Sequence, residues 1–365
     1  MATDTVSYTN ELQTAAGYMP CVSIIMPFTP AFSLKTGLEY KLKTALDQVK
    51  KELQANYTAE KAMMVLNRLQ SLIQKLDYTS NPKSLAIFVS PLIEKVYYLD
   101  TVAEERIIID DSFEIRDLVF SKNEMQQYLL LIISSKKSRV FLGTNQHLSR
   151  IRNGIPEHAA ALTKDNPERV ANFSDPSEMK ELMLDKYMRQ IDDHLSQLLK
   201  EYPFPVMVMG TSRTAGHFKK ISRNKNRVIG FIHGNYDEAT VAELLKATAP
   251  VLSDWRRSRE MEILKQIEEA MDARKLATGI AEVWKAATHQ RGRLLVIEKN
   301  YMFPAQRGDH KDEIFAWDRN NANKLYIKDA VDDVIEMVLA NGGEVAFVEN
   351  GALKNYSSIA LIEFY

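Results

Sequence analysis

The apolar positions of this chain follow two periods, and the alternation between them sets out its elements. Val22-Ser-Ile-Ile-Met26 is a short β-prone run halted by Pro27 and Pro30, which predicts a strand leaving a sheet. Leu34, Leu38, Leu42, Ala45, Leu46, Val49 and Leu53 then recur at three- and four-residue steps. After Asn56-Tyr-Thr58, so do Val65, Leu66, Leu69, Leu72, Ile73 and Leu76, and the two stripes predict paired amphipathic helices. Strand-length runs return over Ser84 to Ser90, Lys95 to Asp100, Arg106 to Ile109 and Ile115 to Phe120, closing an α/β segment near Lys122.

Tyr128 to Ile133, the turn Ser134-Ser-Lys-Lys137 and Ser138 to Leu142 predict a β-hairpin. An irregular stretch containing Arg150-Ile-Arg-Asn-Gly-Ile-Pro156 comes next. At Asp175-Pro-Ser-Glu178 an N-cap Asp, a first-position Pro and a third-position Glu announce a helix, whose stripe is Met179, Leu182, Met183, Ile191, Leu195, Leu198 and Leu199. Pro203 and Pro205 lead into a strand from Val206 to Met209, a basic loop, and a further strand from Val228 to Ile232. Asp237 is placed to cap a helix from Ala239 to about Ala249, Pro250 breaks or kinks the chain, and Leu252 to about Leu276 is a charged helix bridging to the C-terminal segment.

That last segment alternates: helix Gly279 to Thr288, strand Arg293 to Glu298, an irregular polar insert, helix Asp329 to Ala340, strand Glu344 to Glu349 and strand Ile359 to Tyr365. Asn341-Gly-Gly343 supplies the helix C-cap, and Ile359, Leu361 and Phe364 are the expected core residues of the final strand. The pattern thus predicts three consecutive mixed α/β domains, over residues 1–122, 123–276 and 277–365.

Composition narrows the function classes. With one cysteine, Cys21, no disulfide forms within the chain, and no apolar run approaches the roughly 20 residues that span a bilayer, so a reducing cytoplasm without membrane contact is expected. A formal net charge of -1 excludes indiscriminate coating of nucleic acid. The cations are nevertheless uneven: Arg213, Lys219, Lys220, Arg223, Lys225 and Arg227 lie between Thr211 and His233 with no carboxylate among them. Such a run neutralises phosphates, and His217 and Phe218 within it are candidates to stack on a base. Arg150 and Arg152 form a second, smaller candidate contact. The histidines show no paired spacing and no cysteine partner, so neither a metal site nor a cofactor is expected. Gly210 to Gly216 has the wrong spacing for a phosphate loop, and Gly-x-Ser-x-Gly does not occur. Asp192, Asp193 and His194 are read as solvated helix positions.

The C-terminal run Val331-Asp-Asp-Val-Ile-Glu-Met-Val-Leu-Ala-Asn-Gly-Gly-Glu-Val-Ala-Phe-Val348, closing with Ser358-Ile-Ala-Leu-Ile-Glu-Phe-Tyr365, resembles the last domain of class-1 release factors and Pelota. Gly279-Ile-Ala-Glu-Val-Trp-Lys-Ala-Ala-Thr-His-Gln-Arg-Gly-Arg-Leu-Leu-Val-Ile-Glu298 is similar to that domain's opening helix and strand. The hairpin from Tyr128 resembles the start of the RNase H-like middle domain, and Val22 to Pro27, the paired helices and Leu85-Ala-Ile-Phe-Val89 resemble the N-terminal domain. The resemblance, to bacterial members of this archaeo-eukaryotic superfamily, implies an RNase H-like middle domain and a small α/β/α sandwich at the end. It also implies the ribosome, rRNA or tRNA as partner, together with a translational GTPase.

Two departures shape the expected activity. The Gly-Gly-Gln tripeptide of release factors occurs nowhere; its loop position reads Arg150 to Pro156, and the paired Gly342 and Gly343 precede Glu344 in another domain. The codon-reading Asn-Ile-Lys-Ser position reads Asn56-Tyr-Thr-Ala-Glu-Lys61. A non-catalytic ribosome-binding protein, acting in stalling, rescue or hibernation, is therefore the expectation. The alternatives are a metal-dependent nuclease or hydrolase using the RNase H-like domain, and an interaction module independent of the ribosome.

Overall fold

The computed structural model describes residues 19–30, 35–79, 82–134, 138–145, 147–152, 176–317 and 326–364. It divides into two compact units: Met1–Glu124 with Glu262–Tyr365, and Met125–Met261.

In the first unit, β1 (Cys21–Pro27), α1 (Lys35–Asn56), α2 (Ala59–Gln74), β2 (Ser84–Val89), β3 (Glu94–Leu99) and β4 (Arg106–Asp110) succeed one another. The strands form an antiparallel sheet in the order β3-β2-β1-β4. Val22, Ile24 and Met26 face Leu42, Val49, Leu53, Val65 and Leu69 of the two helices. Cys21 and Ile25 point the other way, into a second core. Burial on both faces explains why β1 and β2 read as unbroken apolar runs. Ile115 to Phe120, predicted as a strand, belongs instead to α3 (Arg116–Glu124) and its lead-in. Ile115, Leu118 and Val119 are all buried and are spaced three and four apart, which is one face of a helix; the β-branched residues disguised that period in so short a window.

The second unit holds β5 (Tyr128–Ile133), β6 (Ser138–Gly143), β7 (Leu148–Ile151), α4 (Pro176–Glu201), β8 (Val206–Gly210), α5 (Ser212–Ile221), β9 (Val228–His233) and the first part of α6 (Val241–Asp272). The sheet order is β7-β6-β5-β8-β9, antiparallel as far as β5 and parallel from β5 through β9. This is the mixed sheet of an RNase H-like domain. One face packs on Tyr187, Ile191, Leu195 and Phe218, the other on Leu244 and Leu252. The expected helix cap at Asp237 is instead Thr240. Its amide donates to Glu243 Oε2 at 2.8 Å and Glu243 N donates to Thr240 Oγ1 at 3.4 Å, a reciprocal capping box. The helix runs on through Pro250 without breaking. Burial of Leu244 and Leu252 on the same core offsets the roughly 3 kcal/mol that an interior proline costs. The proposed cap Asp175 and most of the turn at 134–137 lie outside the described residues.

The first unit resumes with β10 (Leu276–Thr278), α7 (Gly279–Thr288), β11 (Gly292–Glu298), β12 (Ala305–Arg307), β13 (Ile314–Ala316), β14 (Tyr326–Ile327), α8 (Ala330–Ala340), β15 (Glu344–Val348) and β16 (Ile359–Glu363). The larger sheet is ordered β10-β16-β11-β15, with β11 and β15 parallel across the α8 crossover. Val283, Val334, Ile335 and Val338 cover one face with Leu295, Ile297 and Leu361, while Ile267 and Leu353 cover the other with Val296 and Ile362. The result is a three-layered α/β/α sandwich. The charged helix was expected to reach Leu276, but Arg274 at φ 57 ends it and frees β10 to pair with β16. Ile359 and Leu361 are fully buried as expected, whereas Phe364 lies past the strand end and is 41 % exposed. The described residues of the polar insert include a small antiparallel sheet, β13-β12-β14, whose two- and three-residue strands are too short to leave a period. Among the described residues no helix is long and apolar enough to cross a membrane.

Candidate functional site

The basic segment predicted as a loop is helical. Thr211 caps α5 by accepting from Thr214 N, and Thr214, Ala215 and Phe218 anchor its inner face. The sequence obscured this because Gly216 and the absence of acidic first-turn residues lower helix propensity, which the apolar anchor outweighs. A single 3₁₀ turn, Lys225–Arg227, comes after it. Arg213, Lys219, Lys220, Arg223 and Lys225 are exposed, and His217 and Arg227 are half-buried. Phe218, the other stacking candidate, is fully buried and serves the core.

The helix does not carry its charges alone. Helix α4 lies beside it, and Glu181 meets Arg213 at 3.7 Å while Asp185 meets His217 Nδ1 at 3.2 Å. Asp193 pairs with Arg223. These carboxylates stand on the α4 face that turns toward α5, so Arg213 and Arg223 are ion-paired and His217 is hydrogen-bonded within the protein. Arg227 donates to the Pro203 carbonyl, which leaves its charge unopposed, and Lys219 stands 5.6 Å from the Phe231 ring centroid. The strongest net field thus centres on Lys219, Lys220, Lys225 and Arg227. Arg150 lies on β7 and Arg152 just beyond it, both exposed; the remainder of that predicted loop, from residue 153, lies outside the described residues.

Asp192, expected to be solvated, is 1 % exposed. It accepts from Ser222 Oγ at 2.6 Å, Arg223 N at 2.9 Å and Asn224 Nδ2 at 2.9 Å. Burial opposes its ionisation, but the donated hydrogen bonds outweigh that and hold its carboxyl below the usual range. This carboxylate fixes the C-terminal end of α5 and with it the turn that presents Lys225 and Arg227.

Sequence reasoning missed a carboxylate cluster in the first unit. Arg116, 4 % exposed at the start of α3, donates through Nη1 to Asp329 Oδ2 at 3.1 Å, through Nη2 to the Lys299 carbonyl at 2.8 Å, and from its amide to Asp332 Oδ1 at 2.8 Å. Asp329 also caps α8, accepting from Val331 N, and receives Phe303 N at 3.0 Å. Arg106 pairs with Asp117 and lies 4.0 Å from Glu114. Burial, reinforced by Asp329, pushes the Glu114 carboxyl up to about 8, with Arg106 pulling the other way. Burial followed by Glu336 pushes Asp333 up to about 7. Complete burial, then Glu114 and Asp329, raises Asp332 well above the carboxylate range. A cleft of about 310 Å³ opens over this cluster, and a larger one of about 730 Å³ lies beside Trp284 and His310. The only sequence signal for the cluster was Asp329-Ala-Val-Asp-Asp333 at a helix start, where acidic residues are ordinary.

The chain thus combines an RNase H-like unit bearing a cationic helix with a separate unit ending in an α/β/α sandwich. The family model described as bacterial archaeo-eukaryotic release factor family 3 matches residues 127–291, which marks that part of the chain as release factor-like. Among solved structures, Archaeoglobus fulgidus Pelota is similar at 12% identity, covering 77% of this chain and 79% of that one, with a TM-score of 0.35. Saccharomyces cerevisiae Dom34, described as interacting with Hbs1, is similar at 14% identity over 79% and 75%, with a TM-score of 0.41. A model of ribosome-bound archaeal Pelota and ABCE1 is similar at 10% identity over 98% and 94%, with a TM-score of 0.43. No curated protein matches.

Proposed function

We propose that this chain is a non-catalytic release factor-like protein that binds the ribosome through rRNA or tRNA backbone, in stalling, rescue or hibernation. The observation that carries the reading is the conjunction of the family match over the RNase H-like unit with a sequence in which Gly-Gly-Gln does not occur. That tripeptide positions the acceptor against the peptidyl ester, and the Arg150 to Pro156 stretch has neither paired glycines nor a glutamine, its one amide side chain being the shorter Asn153. Lys219, Lys220, Lys225 and Arg227 supply the proposed phosphate contact, held in place by Asp192 and by the packing of Phe218. A translational GTPase is the further partner that the release factor-like match suggests, and the cytoplasm is the corresponding compartment. No observation favours the nuclease alternative: the central strands read Tyr128-Leu-Leu-Leu-Ile-Ile133 and Val206-Met-Val-Met-Gly210, without a carboxylate to hold a metal.

The test is co-sedimentation of the purified protein with ribosomes across a salt series, paired with a peptide-release assay on ribosomes halted at a stop codon. Salt-sensitive binding without stop-dependent release is expected. Release above background, or no binding at low salt, overturns the reading.

A further inference from the structure

The first unit contains a cleft rich in carboxyl groups, and it is independent of the ribosome reading. Its floor is Asp329 and Asp332, already engaged by Arg116, and its walls carry Asp110, Asp111, Glu114 and Asp333. Burial keeps Glu114, Asp332 and Asp333 protonated toward neutral pH, and the cations lining the cleft are Arg307, 3.9 Å from Asp333, and Lys328. Glu114 is the decisive residue. It is 5 % exposed, it lines the cleft, and among the described residues its Oε1 accepts no hydrogen bond and has Arg106 Nη1 at 4.0 Å. A buried carboxyl oxygen left without a donor beside an open cleft is an acceptor awaiting one. Tyr326 forms part of the same wall and is 41 % exposed, offering an aromatic ring beside the carboxylates. Carboxylates flanked by an aromatic ring recognise ammonium groups, through charge-assisted hydrogen bonds and the ring's negative face.

We infer that this cleft binds a diffusible organic polycation of the linear polyamine class, with one ammonium group between Glu114 and Asp333 and another toward Asp110 and Asp111. The volume of about 310 Å³ is at the lower end for small-molecule sites and suits a slender aliphatic amine. Burial, with Asp329 beside Glu114 and Glu336 beside Asp333, keeps these two groups protonated toward neutral pH, and a bound ammonium would oppose that and favour their ionised forms.

Isothermal titration of the full-length chain with spermidine tests the assignment, with magnesium chloride as the competing probe. Saturable binding of spermidine is expected, unaffected by equimolar magnesium. Asp111→Asn, at an exposed position, and Glu114→Gln are each expected to weaken it roughly tenfold, with a thermal unfolding curve confirming that the variant is folded. Should Glu114→Gln fail to fold, Asp111→Asn combined with Asp333→Asn decides the question. No saturable binding to the wild-type chain, equal displacement by magnesium, or undiminished affinity in the folded variants overturns it.

Discussion

Replacing Asp192 with alanine tests whether one buried carboxylate sets the geometry of the cationic segment. Three short hydrogen bonds reach it, from Ser222 Oγ, Arg223 N and Asn224 Nδ2. Each bond to a charged group contributes about 1.5 to 3 kcal/mol, while the desolvation of a buried carboxylate, several kcal/mol, offsets part of the sum. In the variant the hydroxyl of Ser222, itself 3 % exposed, stays buried without its acceptor, whereas the Arg223 side chain, already 70 % exposed, keeps its pairing with Asp193. The net loss is about 2 to 4 kcal/mol. Urea unfolding followed by a probe within residues 125–261 measures it, and hydrogen exchange at the Arg223 amide localises it. The carboxyl is held below its usual range, so its stabilisation is complete above the unfolded value of about 3.9 and disappears as pH falls through the folded value. The variant's acid unfolding should therefore be shallower than that of the wild type. A loss under about 1 kcal/mol with the Arg223 amide still protected refutes the argument.

The combined Lys219, Lys220, Lys225 and Arg227 to Ala variant should bind ribosomes less tightly and reduce the salt slope by roughly 2 to 4, while Arg213→Ala, already paired with Glu181, should change it by less than about 1. Wild-type slope in the combined variant removes α5 from the proposed contact. In the first unit, Glu114 and Asp333 have raised values of about 8 and 7, so the stability they confer is greatest below the unfolded carboxyl range and is lost as pH rises through those values. Denaturant midpoints should fall between about pH 5.5 and 9, and Glu114→Gln should flatten that fall; an unchanged profile contradicts the assignment. Leu361→Ala should cost about 2 to 5 kcal/mol and Phe364→Ala under about 1, by thermal or urea unfolding, and equal losses would misplace the end of β16.

Where an element buries one wide face or repeats a period over several turns, the chain spells it out. Helices α1 and α2 each keep their stripe for four turns or more, and β1, β2, β5 and β8 read as apolar runs because both faces of their sheets are covered. The failures share a cause. α3 spans nine residues, and the strands of the small sheet two or three, so too few positions exist for a period to separate from chance. β10 depends on Arg274 taking a left-handed conformation, which is decided by the pairing of Leu276 to Thr278 with β16 some eighty residues later and not by any neighbouring residue.

Charge is harder to read than hydrophobicity, because a local count omits partners that the fold imports. The stretch from Thr211 to His233 contains no carboxylate, yet Glu181 and Asp193 arrive from α4, about thirty residues earlier, and neutralise Arg213 and Arg223, while Asp185 meets His217. Helix periodicity could have raised the question: Glu181, Asp185 and Asp192 lie at four- and seven-residue steps, so they share a face. What periodicity cannot supply is the pairing of that face with α5, which comes from the seating of Tyr187, Ile191 and Phe218 in one core. The same logic governs the acidic cleft, where Glu114 and Asp332 are more than two hundred positions apart and each is unremarked in its own segment. Only their burial together, with Arg116 engaging one member and Arg106 standing off from the other, turns ordinary carboxylates into a site with protons to give up.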